Sequence, residues 1–138
     1  MRRTLAALVL LAAAGGTAGA YAPNVEYALN CQGCHRADGT GTPGSIPPLV
    51  GSVARFLAVS GGREYLVQVP GVAQAPLDDA ALAAVLNWML GHFDAAHVPA
   101  DFTAYAPEEI GRLRTRPLTD VESVRTRLLG EVERREQR

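Results

Sequence analysis

The sequence predicts an all-α fold, in which a small domain of three to five helices is followed by a helical extension at the C-terminus. The strongest observation is an apolar stripe at helical spacing, formed by Leu82, Val85, Leu86, Met89 and Phe93. Shorter stretches with the same period lie before and after it, and breaks rich in glycine and proline separate them. The 138 residues suffice for one small domain plus an extension.

The start of the chain has the pattern of a secretory signal peptide. Two arginines are followed by an apolar run at residues 5–14 and by a small-residue cleavage site, Ala-Gly-Ala, at 18–20. The run is shorter than the about 20 residues that a transmembrane helix needs, so an uncleaved anchor is the weaker alternative. We therefore predict a signal peptide at residues 1–20, a domain at 21–99, an extension at 100–138 and a periplasmic protein.

Four further helices are expected around the apolar stripe, at residues 23–30, 52–59, 63–69 and 107–114. Pro23 suits the first turn of its helix, whereas Pro70-Gly71 should stop the third helix and begin a loop that reaches residue 77. Asp78 is the expected N-cap of the long helix that carries the stripe.

A last helix should follow the capping box that begins at Thr119 and ends at Glu122. Its apolar face consists of Val121, Val124, Leu128, Leu129 and Val132. We interpret it as an accessory helix packed on its own domain. A helix that docks a partner and a mobile tail are the alternatives, because a short helix needs a surface against which to bury its apolar face.

The charge distribution excludes one class of partner. Subtracting the two arginines of the leader from the 13 basic residues leaves 11 against 14 acidic ones, a net charge of −3. The chain contains no lysine. The chain therefore lacks the basic patch that is typical of proteins that bind nucleic acids. Once the leader is removed, no membrane association is expected either, and the oligomeric state is left open.

One pentapeptide carries the most specific chemistry in the chain. Cys31 and Cys34 are the only cysteines, and His35 follows the second one directly. Two thiols at this spacing can add to the two vinyl groups of a haem, and the adjacent imidazole can ligate its iron. A disulfide or a dithiol redox pair is disfavoured by this histidine and by the lack of a βαβ pattern around it.

Together these residues resemble the class I, monohaem c-type cytochromes over residues 25–93. Besides the pentapeptide, the resemblance rests on the Gly-rich loop that follows it and on three short motifs: Pro47-x-Leu49-x-Gly51, Pro76-Leu77-Asp78-Asp79 and Asn87-Trp88-Met89-Leu90. It implies a small all-α domain whose first and last helices cross beside one covalent haem c.

The resemblance also implies roles for five residues. Cys31 and Cys34 would form thioethers, and His35 would be an axial iron ligand. The carbonyl of Pro47 would accept a hydrogen bond from this imidazole, a contact that fixes the orientation of a ligand ring. Trp88 would pack near the haem and the first helix.

The second axial ligand is where the sequence departs from the family. Members of the family usually supply a methionine from the loop before the last helix, but residues 68–76 contain none. The remaining candidates are Met89, His92, His97, Gln68 and Gln74, of which Met89 is the methionine left after the leader. An open or water-bound position is the further alternative, and the choice determines the potential and the reactivity of the iron.

These features favour a periplasmic one-electron carrier that takes electrons from a dehydrogenase and passes them to a downstream acceptor. Catalytic residues are not expected, because no acid–base pair or nucleophile stands out. The missing loop methionine supports a second hypothesis, a five-coordinate haem protein that binds small ligands or has weak peroxidase-like activity. A third hypothesis is a haem subunit of a larger dehydrogenase complex, docked through the extension.

Overall fold

The computed structural model describes residues 21–138, and the predicted signal peptide lies outside them. The described chain is mostly helical and contains no β-strand, apart from an isolated bridge between Thr42 and Ile46. This confirms the all-α prediction. Its α-helices are α1 (Pro23–Asn30), α2 (Gln32–His35), α3 (Gly62–Gln68), α4 (Pro70–Ala73), α5 (Asp79–Asp94), α6 (Pro107–Arg114) and α7 (Val121–Glu136), with 3₁₀ helices at Ala54–Ala58 and Ala95–His97. None of the helices within residues 21–138 is long and apolar enough to cross a membrane.

Helix α5 forms the centre of the fold. The side chain of Asp78 accepts a hydrogen bond from the Ala81 N–H at 2.7 Å, which confirms the predicted N-cap. The predicted stripe is buried, together with Ala81, Ala83, Leu90 and Asp94. Helix α1 packs against one part of this surface and α6 against another. Helix α5 is therefore covered by α1, which precedes it in the chain, and by α6 of the extension.

Aromatic side chains join α1 to α5. The ring of Tyr27 lies 5.4 Å from that of Trp88 and 5.1 Å from that of Phe93, measured between centroids. Tilted aromatic pairs at this distance stabilise a contact beyond the effect of buried area alone. The first helix thus packs on the last helix of the domain, as the resemblance implies.

Two predicted elements differ from the structure. Residues 52–59, predicted to be helical, are helical only over Ala54–Ala58, and there they form a 3₁₀ helix rather than an α-helix. The loop expected at residues 71–77 is wrong in its first part, because Pro70–Ala73 forms the short helix α4. Pro70 does end α3, yet it also occupies the first turn of α4, where its missing N–H leaves no intrahelical bond unmade.

The extension packs on its own domain. Ile110 of α6 and Leu128 of α7 are fully buried, and both belong to the same apolar cluster as the α5 stripe. Val132 is also buried, while Val121, Val124 and Leu129 are partly buried. The apolar face of the last helix is therefore occupied within the molecule, so the partner-docking alternative lacks the free face on which it depended.

Polar contacts fix α6 beside α3 and α5. Arg63 donates two hydrogen bonds to the carboxylate of Glu109, at 2.6 and 2.7 Å, and its guanidinium lies 4.1 Å from the centroid of the Tyr105 ring. The side-chain amide of Asn87 exchanges two hydrogen bonds with the backbone of Tyr105, at 3.0 and 2.8 Å. Bidentate bonds of this kind set orientation as well as distance.

We expect the Glu109→Gln variant to unfold more easily than the wild type, by about 1 kcal/mol at pH 7, because a partly exposed ion pair contributes little more. The hydrogen bonds from Arg63 lower the pKa of Glu109, so this contribution is complete above the ordinary carboxyl range and is lost as the pH falls through the folded-state pKa. Denaturant unfolding at pH 7 and pH 3 should show the difference shrinking in acid. Glu108→Gln, at an exposed neighbour, is the control. A loss that did not depend on pH would contradict the ion-pair explanation.

Candidate functional site

The structure brings both cysteines and the histidine of the pentapeptide onto one helical turn. Cys31 stands directly before α2, and its carbonyl accepts hydrogen bonds from the N–H groups of Cys34 and His35, at 3.2 and 3.0 Å. Cys31 is half-buried against the apolar core, whereas Cys34 is exposed. One end of the turn thus faces the interior and the other faces solvent.

The thiol of Cys31 is not activated as a redox nucleophile. Both cysteines are free, and no disulfide joins them. Burial raises the pKa of Cys31, and the nearby Cys34 and Glu26 raise it further. Reactive dithiol sites instead lower the pKa of the attacking cysteine. The environment therefore agrees with the sequence in disfavouring a thioredoxin-like pair.

The imidazole of His35 is half-buried, and its surroundings favour the neutral form. Burial lowers the pKa of His35, and the Pro47 carbonyl opposes this shift more weakly. The buried Nδ1 atom makes no hydrogen bond of normal distance and angle, so the influence of Pro47 is that of a nearby carbonyl rather than of an aligned bond. A neutral imidazole is the form that binds metals.

A tight loop brings Pro47 to His35. Gly41 donates its N–H to the His35 carbonyl at 3.1 Å and has a positive φ of 68°. A Cβ atom at this position would collide with the Ile46 oxygen and would lie 2.7 Å from the Pro47 oxygen. Only glycine permits this approach. The two residues that the resemblance paired are therefore adjacent.

Tyr27 is a supporting residue that the sequence analysis missed. Its hydroxyl donates to the carbonyl of Arg36 at 2.7 Å, where Arg36 has a positive φ of 64°. Burial raises the pKa of this tyrosine to about 12. The spacing offered a signal, because Tyr27 stands one helical turn before Cys31 and so faces the same side as the pentapeptide.

Trp88 lies where the resemblance implied, against the first helix. Besides its contact with Tyr27, its ring stacks on the imidazole of His92, with the centroids 4.4 Å apart and the planes 16° from parallel. Trp88 is only partly buried, and His92 is exposed. The pair forms an aromatic surface on α5 next to α1.

Two other candidate axial ligands, Met89 and His97, lie in different surroundings. Met89 is buried in the apolar core, with 5 % of its surface exposed. The Nδ1 atom of His97 lies 2.5 Å from the Oδ1 atom of Asp94, and the other oxygen of this buried carboxylate accepts from the Ala54 N–H at 2.8 Å. His97 also lines a surface cavity of about 210 Å³ beside α7. The Asp94 carboxylate therefore joins the two 3₁₀ helices, and the Nδ1 atom of His97 is engaged with this carboxylate.

The two candidate glutamines, Gln68 and Gln74, differ in their surroundings. Gln74 is exposed, and the backbone carbonyl of Gln68 accepts from the Leu118 N–H of the extension at 2.9 Å. The segment that should carry a methionine is thus attached to the extension through its backbone.

The donor set of the pentapeptide suits a haem rather than a metal ion held by protein alone. Within residues 21–138, no group of three or more His, Cys, Asp or Glu side chains could hold a metal ion. Two thiols and one imidazole on a single turn instead match covalent attachment to a porphyrin that supplies the other iron ligands.

Comparison with known proteins agrees with this interpretation of the donor set. No protein-family model matches the chain. The chain is 38 % identical over 137 residues to a cytochrome c-552 of Thermus thermophilus, a match that covers 86 % of this chain and 90 % of the relative. A second cytochrome c-552 from Thermus thermophilus is 36 % identical over 116 residues, which covers 71 % of this chain and 88 % of that protein.

We expect Gly41→Ala to destabilise the protein more than Gly44→Ala. Both glycines have a positive φ, so each alanine costs about 1–2 kcal/mol of backbone strain. Only at position 41 does the new methyl group collide with backbone, which adds about 1–3 kcal/mol of overpacking, since nothing lies within 4 Å of a Cβ at Gly44. Denaturant unfolding measures both losses. Equal losses would show that the loop does not press against Pro47.

Proposed function

Because the chain belongs to the class I, monohaem c-type cytochromes, we propose that Cys31 and Cys34 bind its haem and that His35 is an axial ligand. The protein carries one covalent haem c and is an electron-transfer protein that works with redox partners, not an enzyme. The observation that carries the assignment of these residues is their arrangement on one helical turn, with one thiol facing the core and one facing solvent.

Each residue of the site has a defined task in this proposal. The two thiols would each add, sulfur and hydrogen together, across one vinyl group of the haem, and the two C–S bonds would fix the position of the cofactor. The Pro47 carbonyl lies near the Nδ1 atom of His35 without an aligned hydrogen bond; in the haem-bound protein it would accept from the Nδ1–H and orient the ring, which would leave the other nitrogen for the iron. Tyr27 and Trp88 keep water from one side of the site. The haem, when bound, exchanges a single electron at its iron.

Met89 and an open site are the two arrangements of the second axial position on which the sequence bears most directly. The histidine alternatives are His92, which is exposed and stacked on Trp88, and His97, which contacts Asp94. Met89 is the one methionine of residues 21–138, and its thioether would raise the potential of the iron. An open position fits the lack of a methionine in residues 68–76 and the burial of Met89 among apolar side chains. The open arrangement supports a second candidate function, the binding of small ligands by a five-coordinate haem.

The finer assignments concern location and partners. We infer that the protein is exported to the periplasm, because its first twenty residues have the composition of a signal peptide. There it would accept electrons from a dehydrogenase and deliver them to a downstream acceptor. The alternative of a subunit docked through α7 has less support, since Leu128 and Val132 are buried within the molecule.

We expect the Cys31→Ala/Cys34→Ala double variant to lose its covalent haem, while Gln32→Ala, within the same turn, retains it. Mass spectrometry of the denatured proteins measures the attachment. The wild type should then titrate as a one-electron couple. A double variant that still carried covalent haem, or a wild type that could not be reduced and reoxidised, would contradict the proposal.

A further inference from the structure

We propose that Arg114 is a positioning residue through which the C-terminal extension holds residues 73–77, and that this clamp controls access to the iron on the side opposite His35. The second half of this inference rests on the proposed haem site. The first half depends only on contacts between protein groups.

The side chain of Arg114 forms all but one of its hydrogen bonds with one short segment. Its guanidinium donates to the backbone carbonyls of Ala73, Ala75 and Leu77, at 3.0, 2.6 and 2.7 Å. A fourth contact joins it to the carboxylate of Asp79 at 3.1 Å. With 17 % of its surface exposed, the side chain is largely withdrawn from solvent. Hydrogen bonds from a charged donor are stronger than neutral ones.

Within residues 21–138, three carbonyls of the clamped segment have no backbone partner and accept from the side chain of Arg114. It runs from the last residue of α4 to the residue before the N-cap of α5, and Pro76 within it has no N–H to donate. Among the backbone hydrogen bonds of residues 21–138 outside the helices, none is accepted by the carbonyls of Ala73, Ala75 or Leu77. Arg114 therefore satisfies three acceptors that the segment itself cannot satisfy.

The helix that carries Arg114 is itself firmly placed. Ile110 is fully buried, and the pairs Arg63–Glu109 and Asn87–Tyr105 fix the start of α6. A Cβ atom on Gly111 would lie 2.5 Å from the Asp79 carboxylate, so α6 approaches the start of α5 as closely as a glycine allows. The packing of α6 therefore sets the position of Arg114, and residues 73–77 take their position from Arg114.

The segment packs on the same apolar cluster as two residues of the site. Ala75 and Leu77 are partly buried against this cluster, and so are Cys31 and Trp88. The resemblance places residues 68–76 opposite His35, and this stretch offers no thioether to the iron. On this proposal, how rigidly residues 73–77 are held determines how easily a small molecule reaches the iron from that side.

The test compares Arg114→Ala with Arg116→Ala, an exposed arginine two residues further along the chain. Hydrogen exchange measured by mass spectrometry follows the amides of residues 73–75, whose bonds to Val69, Pro70 and Val72 report on the segment. We expect exchange in Arg114→Ala to be about tenfold faster, since several charge-assisted bonds are lost. Arg116→Ala should match the wild type.

The second readout is the rate at which carbon monoxide binds the reduced protein. We expect Arg114→Ala to change this rate by about threefold or more, and Arg114→Lys, which can reach fewer of the carbonyls, to give an intermediate value. If Arg114→Ala does not fold, as judged by circular dichroism, Arg114→Lys and Arg114→Gln carry the same comparison.

The outcomes separate the two halves of the inference. Unchanged exchange in Arg114→Ala would overturn the clamp. Faster exchange with an unchanged carbon monoxide rate would overturn the link to the iron and leave Arg114 a purely structural residue. A wild type without covalent haem would overturn the proposed function and this link together, whereas the exchange comparison would still decide the clamp.

Discussion

The burial of helix α5 on more than one side is the constraint on which the rest of the structure depends. Its nine buried residues do not form a single narrow stripe, so one neighbouring helix cannot cover them. Helix α1 covers the part next to Trp88 and Phe93, while α6 and the segment around Tyr105 cover another. An apolar surface left in water would cost about 25 cal/mol for each Å². The extension is therefore part of the core of this electron carrier rather than an appendage to it.

This arrangement connects the two sides of the site. The pentapeptide depends on α1 and on the Gly41 loop, which place Cys31 and His35 beside the core. Residues 68–77, which include the stretch that the resemblance places opposite His35, are attached to the extension through Leu118 and Arg114. Residues 68–76 carry no methionine, and contacts with the extension hold this stretch in place. The pentapeptide is held from within the domain, whereas residues 68–77 are held from the extension.

The elements that the sequence predicted correctly are those whose signals are local. The N-cap at Asp78 and the stripe of α5 each involve residues within one or a few turns. The spacing of the pentapeptide is equally local, and it predicted the haem c that the relatives support. Helix α4 was missed because Pro70 both ends one helix and begins another, and composition alone does not distinguish these roles. The Asp94–Ala54 and Arg114–Ala73 contacts join residues 40 and 41 positions apart, so no local pattern could indicate them. The packing of α7 on its own domain was the favoured interpretation of its apolar face, and the burial of Leu128 agrees with it.

The claim that domain and extension form one folding unit is tested most directly by native-state hydrogen exchange, followed by NMR at increasing denaturant. If the core is continuous, the amides of Leu113 and Leu128 in the extension should converge with that of Leu86 in α5 on one opening free energy, because a single cooperative transition exposes all three. If Leu113 and Leu128 instead exchanged through a separate opening of lower free energy while Leu86 remained protected, the extension would be an independent unit, and the claim of one continuous core would be contradicted.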